Sequence, residues 1–148
     1  MIRVSVIHGP NLNLLGLREP EIYGSQSLEE INEKITETAQ ELGIEIRLFQ
    51  SNSEGEIVDA VHNSYGWADA IVINPAGYTH YSVVIRDAIE TVRLPTVEVH
   101  LSNIYSREEF RKHSMTADVA YGQITGFGWM SYVLALHAAK HIVEQMRK

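Results

Sequence analysis

The chain has 148 residues, 45 % of them apolar, with no cysteine and a formal net charge of −7 from 12 Lys+Arg against 19 Asp+Glu. That length suits one domain with one core, and the apolar content is too high for a disordered chain. The missing cysteine excludes disulfides, thiolate catalysis and Cys-ligated metal, no apolar stretch approaches the roughly 20 residues that span a bilayer, and the acidic balance opposes broad nucleic-acid or membrane binding.

Strand and helix signals alternate along the chain. Arg3 to Ile7 is a short apolar run closed by His8-Gly9-Pro10, with no signal-peptide pattern. Ser27 to Glu30 has the spacing of a capping box, and Leu28, Ile31, Ile35, Thr38 and Leu42 follow at helical spacing before Gly43. Ile44 to Phe49 alternates like a strand with one wetter face. Ser53 to Glu56 is a second box, opening a helix on Ile57, Val61 and Tyr65, and Ala70 to Ile73 is a continuous apolar strand of the kind buried on both faces. A helix with Val84, Ile85, Ala88, Ile89 and Val92 ends before Pro95. Thr96 to Val99 is a fourth strand, and Ser106 to Glu109 a third box on a short helix. Val119 to Thr125 is a weaker strand, and the last helix starts near Gly128 on Met130, Val133, Leu134, Leu136 and Ile142. This alternation predicts one α/β domain over 1–148, soluble and cytoplasmic. Its five-stranded parallel sheet has helices on both faces and the flavodoxin-like order 2-1-3-4-5.

Ligands of such sheets bind beyond the carboxyl ends of the strands, near the reversal of strand order. Strand one is followed by Asn11, strand three by Asn74 and His80, and strand four ends in His100, Leu101 and Ser102. Asn11, Asn74, His80, His100 and Ser102 are therefore expected around one crevice. Neither G-x-G-x-x-G, a Walker motif nor G-x-S-x-G occurs. His137 and His141 lie one turn apart without a third nearby ligand and read as a surface pair. None of the lysines directly follows a strand, which argues against a Schiff base. The loop from Gly16 to Gly24, charged and bounded by glycines, has the make-up of a lid. An ordinary tyrosine, with a pKa of about 10, is a poor base, but a guanidinium beside it favours the phenolate. Arg18 and Tyr23 are either such a pair or a solvated charge and a loop anchor. Glu98 and His100, two apart on a strand, share a face, where the carboxylate would fix the imidazole tautomer and raise its basicity, as a general acid needs. Otherwise Glu98 is a charge facing solvent.

Gly9-Pro10-Asn11-Leu12-Asn13-Leu14-Leu15-Gly16, Arg18-Glu19-Pro20 and Tyr23-Gly24 resemble the opening of type II 3-dehydroquinate dehydratases. So do Gln50-Ser51-Asn52, Asn74-Pro75, Thr79-His80, Glu98 to Asn103 and Arg107-Glu108-Glu109-Phe110-Arg111. The resemblance runs over nearly the whole chain and implies a flavodoxin-like fold. It also implies loss of water from 3-dehydroquinate to give 3-dehydroshikimate, without metal, organic cofactor or imine. By resemblance Tyr23 would be the base and Arg18 would keep it ionised. Asn11 would help hold a water on the enolate, and His100 would be the acid, oriented by Glu98. Asn74, His80, Leu101, Ser102 and Arg111 would bind substrate, and Asp87 would come from a neighbouring subunit of a dodecamer of trimers. His8 stands where the family more often has Asn. Pro75-Ala76-Gly77-Tyr78 and Ser131 are further departures. The alternative is a non-catalytic flavodoxin-like module binding a small anion or nucleotide in the same crevice.

Overall fold

The computed structural model describes residues 1–17 and 19–148. Its strands are β1 (Arg3–His8), β2 (Glu45–Gln50), β3 (Ala70–Asn74), β4 (Thr96–His100) and β5 (Gly122–Thr125). All are parallel, in the order β2-β1-β3-β4-β5 expected from the alternation. The helices are α1 (Pro20–Tyr23), α2 (Leu28–Leu42), α3 (Glu54–Ser64), α4 (Val83–Val92) and α5 (Met130–Met146). The two-residue period of a strand sends alternate side chains to opposite faces. Val4, Val6, Val72, Val97 and Val99 pack with α2 and α5, whereas Ile7, Ile71 and Ile73 pack with α3 and α4. The continuous apolar run of β3 reflects this burial on both sides. No helix among the described residues is long and apolar enough to cross a membrane.

The local signals fared unequally. Ser27 and Glu30 close a full capping box, whereas Ser53 caps α3 from its own side only, accepting from the Glu56 N–H. The third box does not form. Ser106 ends a short 3-10 turn, where its hydroxyl donates to the Asn103 carbonyl, and the turn at Glu109–Arg111 has Glu108 at its N-cap position with no side-chain cap. The segment between β4 and β5, residues 101–121, forms only short 3-10 turns, tied down by side-chain bonds such as Ser106 to the Asn103 carbonyl and Ser114 to Glu98. The fifth strand begins three residues later than expected, at Gly122. In α5 the buried stripe is Tyr132, Ala135, Leu136, Ala139, Ile142 and Val143, while Met130 and Leu134 are exposed. Two small alanines, Ala135 and Ala139, share that buried face with the larger residues and allow close helix–sheet approach. Tyr65 and Val84 are likewise exposed.

One polar residue stands inside the apolar face formed with α2 and α5. His8, at the end of β1, is fully buried, with Nδ1 2.8 Å from the Tyr132 hydroxyl and Nε2 2.8 Å from Asn32 Oδ1. Burial pushes its pKa down from 6.5 to about 4, against the opposing pull of Asn32. The unfolded imidazole therefore takes up a proton near pH 6.5 that the folded one refuses until about pH 4. Stability should fall by up to about 3 kcal/mol as pH drops through that window. Chemical denaturation from pH 7 to pH 4 should show that His8→Asn removes this part of the slope; an unchanged slope contradicts a buried, neutral His8.

Candidate active site

The chain leaves β1 toward β2 on one side of the sheet and leaves β3 toward β4 on the other. The carboxyl ends of these strands consequently part and leave a crevice. Glycine is needed where they diverge: a Cβ on Gly9 would stand 2.7 Å from the Pro75 carbonyl oxygen and 2.8 Å from that of Asn74. Into this crevice come Tyr23 from the end of α1, Asn74 from β3, His80 from the turn after it, and His100, Leu101 and Ser102 from the end of β4. Arg107 and Arg111, from the segment beyond β4, complete the polar wall.

The His100 side is built on a buried charge. Glu98 has no exposed surface, yet its carboxylate accepts from His100 Nε2 at 2.9 Å, Gln123 Nε2 at 2.6 Å, the Ser114 hydroxyl at 2.9 Å and the Thr116 hydroxyl. Burial raises its pKa, but the hydrogen bond and charge of His100, with the two hydroxyls, outweigh it and hold the group below the usual carboxylate range. With Nε2–H given to Glu98, the other imidazole nitrogen, Nδ1, is the one that can serve a ligand. Strand geometry alone put Glu98 and His100 on one face, and the contact follows from it. The stabilising Ser114, Thr116 and Gln123 were not legible, because they arrive from a loop and from β5. Among the described residues no side-chain nitrogen or oxygen is buried without a partner.

On the opposite side Arg107 Nη1 donates to the Tyr23 hydroxyl at 2.5 Å, with the guanidinium carbon 5.1 Å from the ring centroid. The sequence reading assigned Arg107 no role. Its signal was the pair of arginines four residues apart just after the strand-four turn, only one of which, Arg111, was singled out. Arg18 lies outside the described residues. Arg111 pairs with Glu108 at 2.5 Å at the crevice wall. His80 donates from Nδ1 to the His113 carbonyl at 2.8 Å. Burial lowers its pKa, and the charges of His100 and Arg111 add to this over the opposing hydrogen bond. With Nδ1–H given to the His113 carbonyl, a neutral ring offers Nε2 as an acceptor for a hydroxyl.

Two expected residues do not line the crevice. Asn11 is exposed at φ 68°, and its N–H donates to Asn52 Oδ1 at 2.9 Å. Asp87 lies on the exposed side of α4. His137 and His141 are exposed on α5, and no cluster of three or more metal-type ligands occurs among the described residues. A second hollow of about 290 Å³ runs between β2 and α3, past Leu48, Phe49 and Arg47. Glu56 and Asp59 also line it, with no imidazole or phenol.

A family model described as Dehydroquinase class II matches residues 2–140. The 3-dehydroquinate dehydratase of Pelotomaculum thermopropionicum is 60 % identical over 138 residues, 93 % of this chain and 96 % of that one. That of Halothermothrix orenii is 57 % identical over 145 residues, 98 % of both chains. Among solved structures, the type II dehydroquinase from Butyrivibrio crossotus matches with a TM-score of 0.92 at 45 % identity, covering 94 % of this chain and 97 % of that one.

The crevice also stores strain. Ala76, on its wall, has φ 52°, a left-handed conformation that an L side chain resists by about 1–2 kcal/mol. Ala76→Gly should raise unfolding free energy by about 1 kcal/mol in urea titration; a lowered stability contradicts the strain.

Proposed function

The chain belongs to the class II dehydroquinase family, and from that premise we propose that it converts 3-dehydroquinate to 3-dehydroshikimate with Tyr23 as base and His100 as acid. The family dehydrates 3-dehydroquinate, a step of the shikimate pathway. The observation that supports this division of labour is a phenol bound by Arg107 and an imidazole bound by Glu98 in one crevice. A module that only binds a small anion or nucleotide has no need of either pairing.

Each group needs the opposite protonation state. A base must be phenolate and an acid imidazolium. Tyr23 stands against the Arg107 guanidinium, with Arg18 the second cation assigned to it by resemblance, and His100 stands against the Glu98 carboxylate. Tyr23 Oη takes the proton alpha to the ketone, and the electron pair moves into the enolate. That charge needs prearranged donors; the resemblance gives this role to a water held by Asn11, which in this structure stands outside the crevice lining. The enolate electrons then re-form the carbonyl and expel hydroxide, which leaves as water with the proton of His100 Nδ1. Tyr23 ends protonated and His100 neutral, and one proton passed back through solvent restores both. Asn74, His80, Leu101, Ser102 and Arg111 hold the hydroxyls and carboxylate.

The proposal extends to residues 1–148 as one catalytic domain in the cytoplasm and to a dodecamer of trimers, in which Asp87 reaches the site of a neighbour. Closure of the 16–24 loop over the substrate excludes water.

The product is a conjugated enone acid, so ultraviolet absorbance follows the reaction. Purified protein should raise that absorbance from 3-dehydroquinate; folded protein that fails to do so overturns the assignment. Tyr23→Phe should lose at least about a thousandfold in kcat, the scale of a lost general base, while ligand binding persists. Near-normal turnover would remove Tyr23 as the base.

A further inference from the structure

Four side chains beneath the crevice form one chain of hydrogen bonds, and a backbone group sets its direction. The Ala76 N–H is a donor that cannot reverse, and it donates to Asn74 Oδ1 at 3.0 Å. The other end of that amide, Nδ2, is therefore a donor, and it donates to the Tyr132 hydroxyl oxygen at 3.2 Å. The Tyr132 O–H must then donate onward, and its remaining partner is His8 Nδ1 at 2.8 Å. Nδ1 is consequently bare, so the neutral ring carries its proton on Nε2. There Asn32 Oδ1 waits as an acceptor at 2.8 Å. Every donor meets an acceptor from Ala76 to α2, and Tyr132 and His8 are fully buried.

We propose that His8 and Tyr132 are positioning residues that fix the orientation of the Asn74 amide in the substrate crevice. This rests on the dehydratase reading, which makes Asn74 a substrate contact. If the amide flipped, its NH2 would meet the Ala76 N–H and its oxygen would meet a Tyr132 oxygen whose proton is already given to His8. Both ends would be frustrated, which costs more than a single lost hydrogen bond in a buried site. His8 matters because it accepts from Tyr132: an acceptor there makes the Tyr132 oxygen face Asn74 as an acceptor. The strand pairing helps, since His8 and Asn74 are direct register partners on β1 and β3. The fully buried pair explains how a histidine is accommodated on an otherwise apolar face. The competing explanation is a satisfied core histidine that contributes to folding alone.

The test combines kinetics with a spectrum of the unaltered protein. With 3-dehydroquinate as substrate, Tyr132→Phe should raise KM about tenfold while kcat changes less than about threefold, as expected for lost binding rather than lost chemistry. His8→Phe should do the same. His8→Asn should restore KM to near the wild-type value, because an Asn carbonyl occupies roughly the place of Nδ1 and accepts from Tyr132. A KM unchanged in Tyr132→Phe, or His8→Asn no better than His8→Phe, overturns the proposal. Should the variants fail to fold, long-range ring 15N correlations of the wild-type protein at pH 7 decide: His8 protonated at Nε2 and bare at Nδ1 supports the directed chain, and an Nδ1–H ring or an imidazolium overturns it. Wild-type protein that is inert toward 3-dehydroquinate would instead refute the dehydratase reading, while the tautomer would still report on the chain.

Discussion

The site is organised by one buried carboxylate. A charge with no exposed surface is tolerable only when its oxygens are fully engaged, and Glu98 draws four partners from three parts of the chain. They are His100 on the same strand, Ser114 and Thr116 in the loop beyond it, and Gln123 on β5. Satisfying that group fixes the loop from 114 to 116 against the end of β4. Arg86 of α4 holds the same loop by donating to the Met115 carbonyl at 2.7 Å and pairing with Asp118. What results is an imidazole whose ring orientation is set before any ligand arrives.

The facing side of the crevice is assembled differently. Tyr23 ends a four-residue helix that begins at Pro20, and both its bounding glycines, Gly16 and Gly24, have φ near 90°. Arg107 reaches it from a segment more than eighty residues later in the chain, so the phenol and its cation meet only once the sheet is complete. The phenol thus sits on a short helix within a loop and the imidazole on a strand end. This division suits a site that must admit substrate and then exclude water.

Much of the fold was legible in sequence because strand burial writes itself into composition. The run from Ala70 to Ile73 has no polar residue since both faces are covered, and the Ser27–Glu30 box marks a helix start by local chemistry alone. Signals weakened where long-range contacts decide. Ser106 and Glu109 have the spacing of a box but lie in a segment tied to the sheet's end, and on α5 the small Ala135 and Ala139, which a hydrophobic scan undervalues, are buried while Met130 and Leu134 are exposed. The crevice residues Asn74, His80, His100 and Ser102 were readable because strand order dictates which ends converge. Arg107 was not, because its partner Tyr23 is distant in sequence and neither residue belongs to a strand. His8 looked like a local departure from the family, and only its three-dimensional neighbours, Asn32 and Tyr132, give it a role.

The account assigns proton removal to Tyr23 and proton donation to His100 as separable steps around an enolate. The most direct test is deuterium incorporation alpha to the ketone of 3-dehydroquinate in D2O, read by NMR. His100→Ala should still exchange that proton above the protein-free background while losing dehydration, and Tyr23→Phe should lose both. Exchange at the wild-type rate in Tyr23→Phe, or undiminished dehydration in His100→Ala, would contradict it.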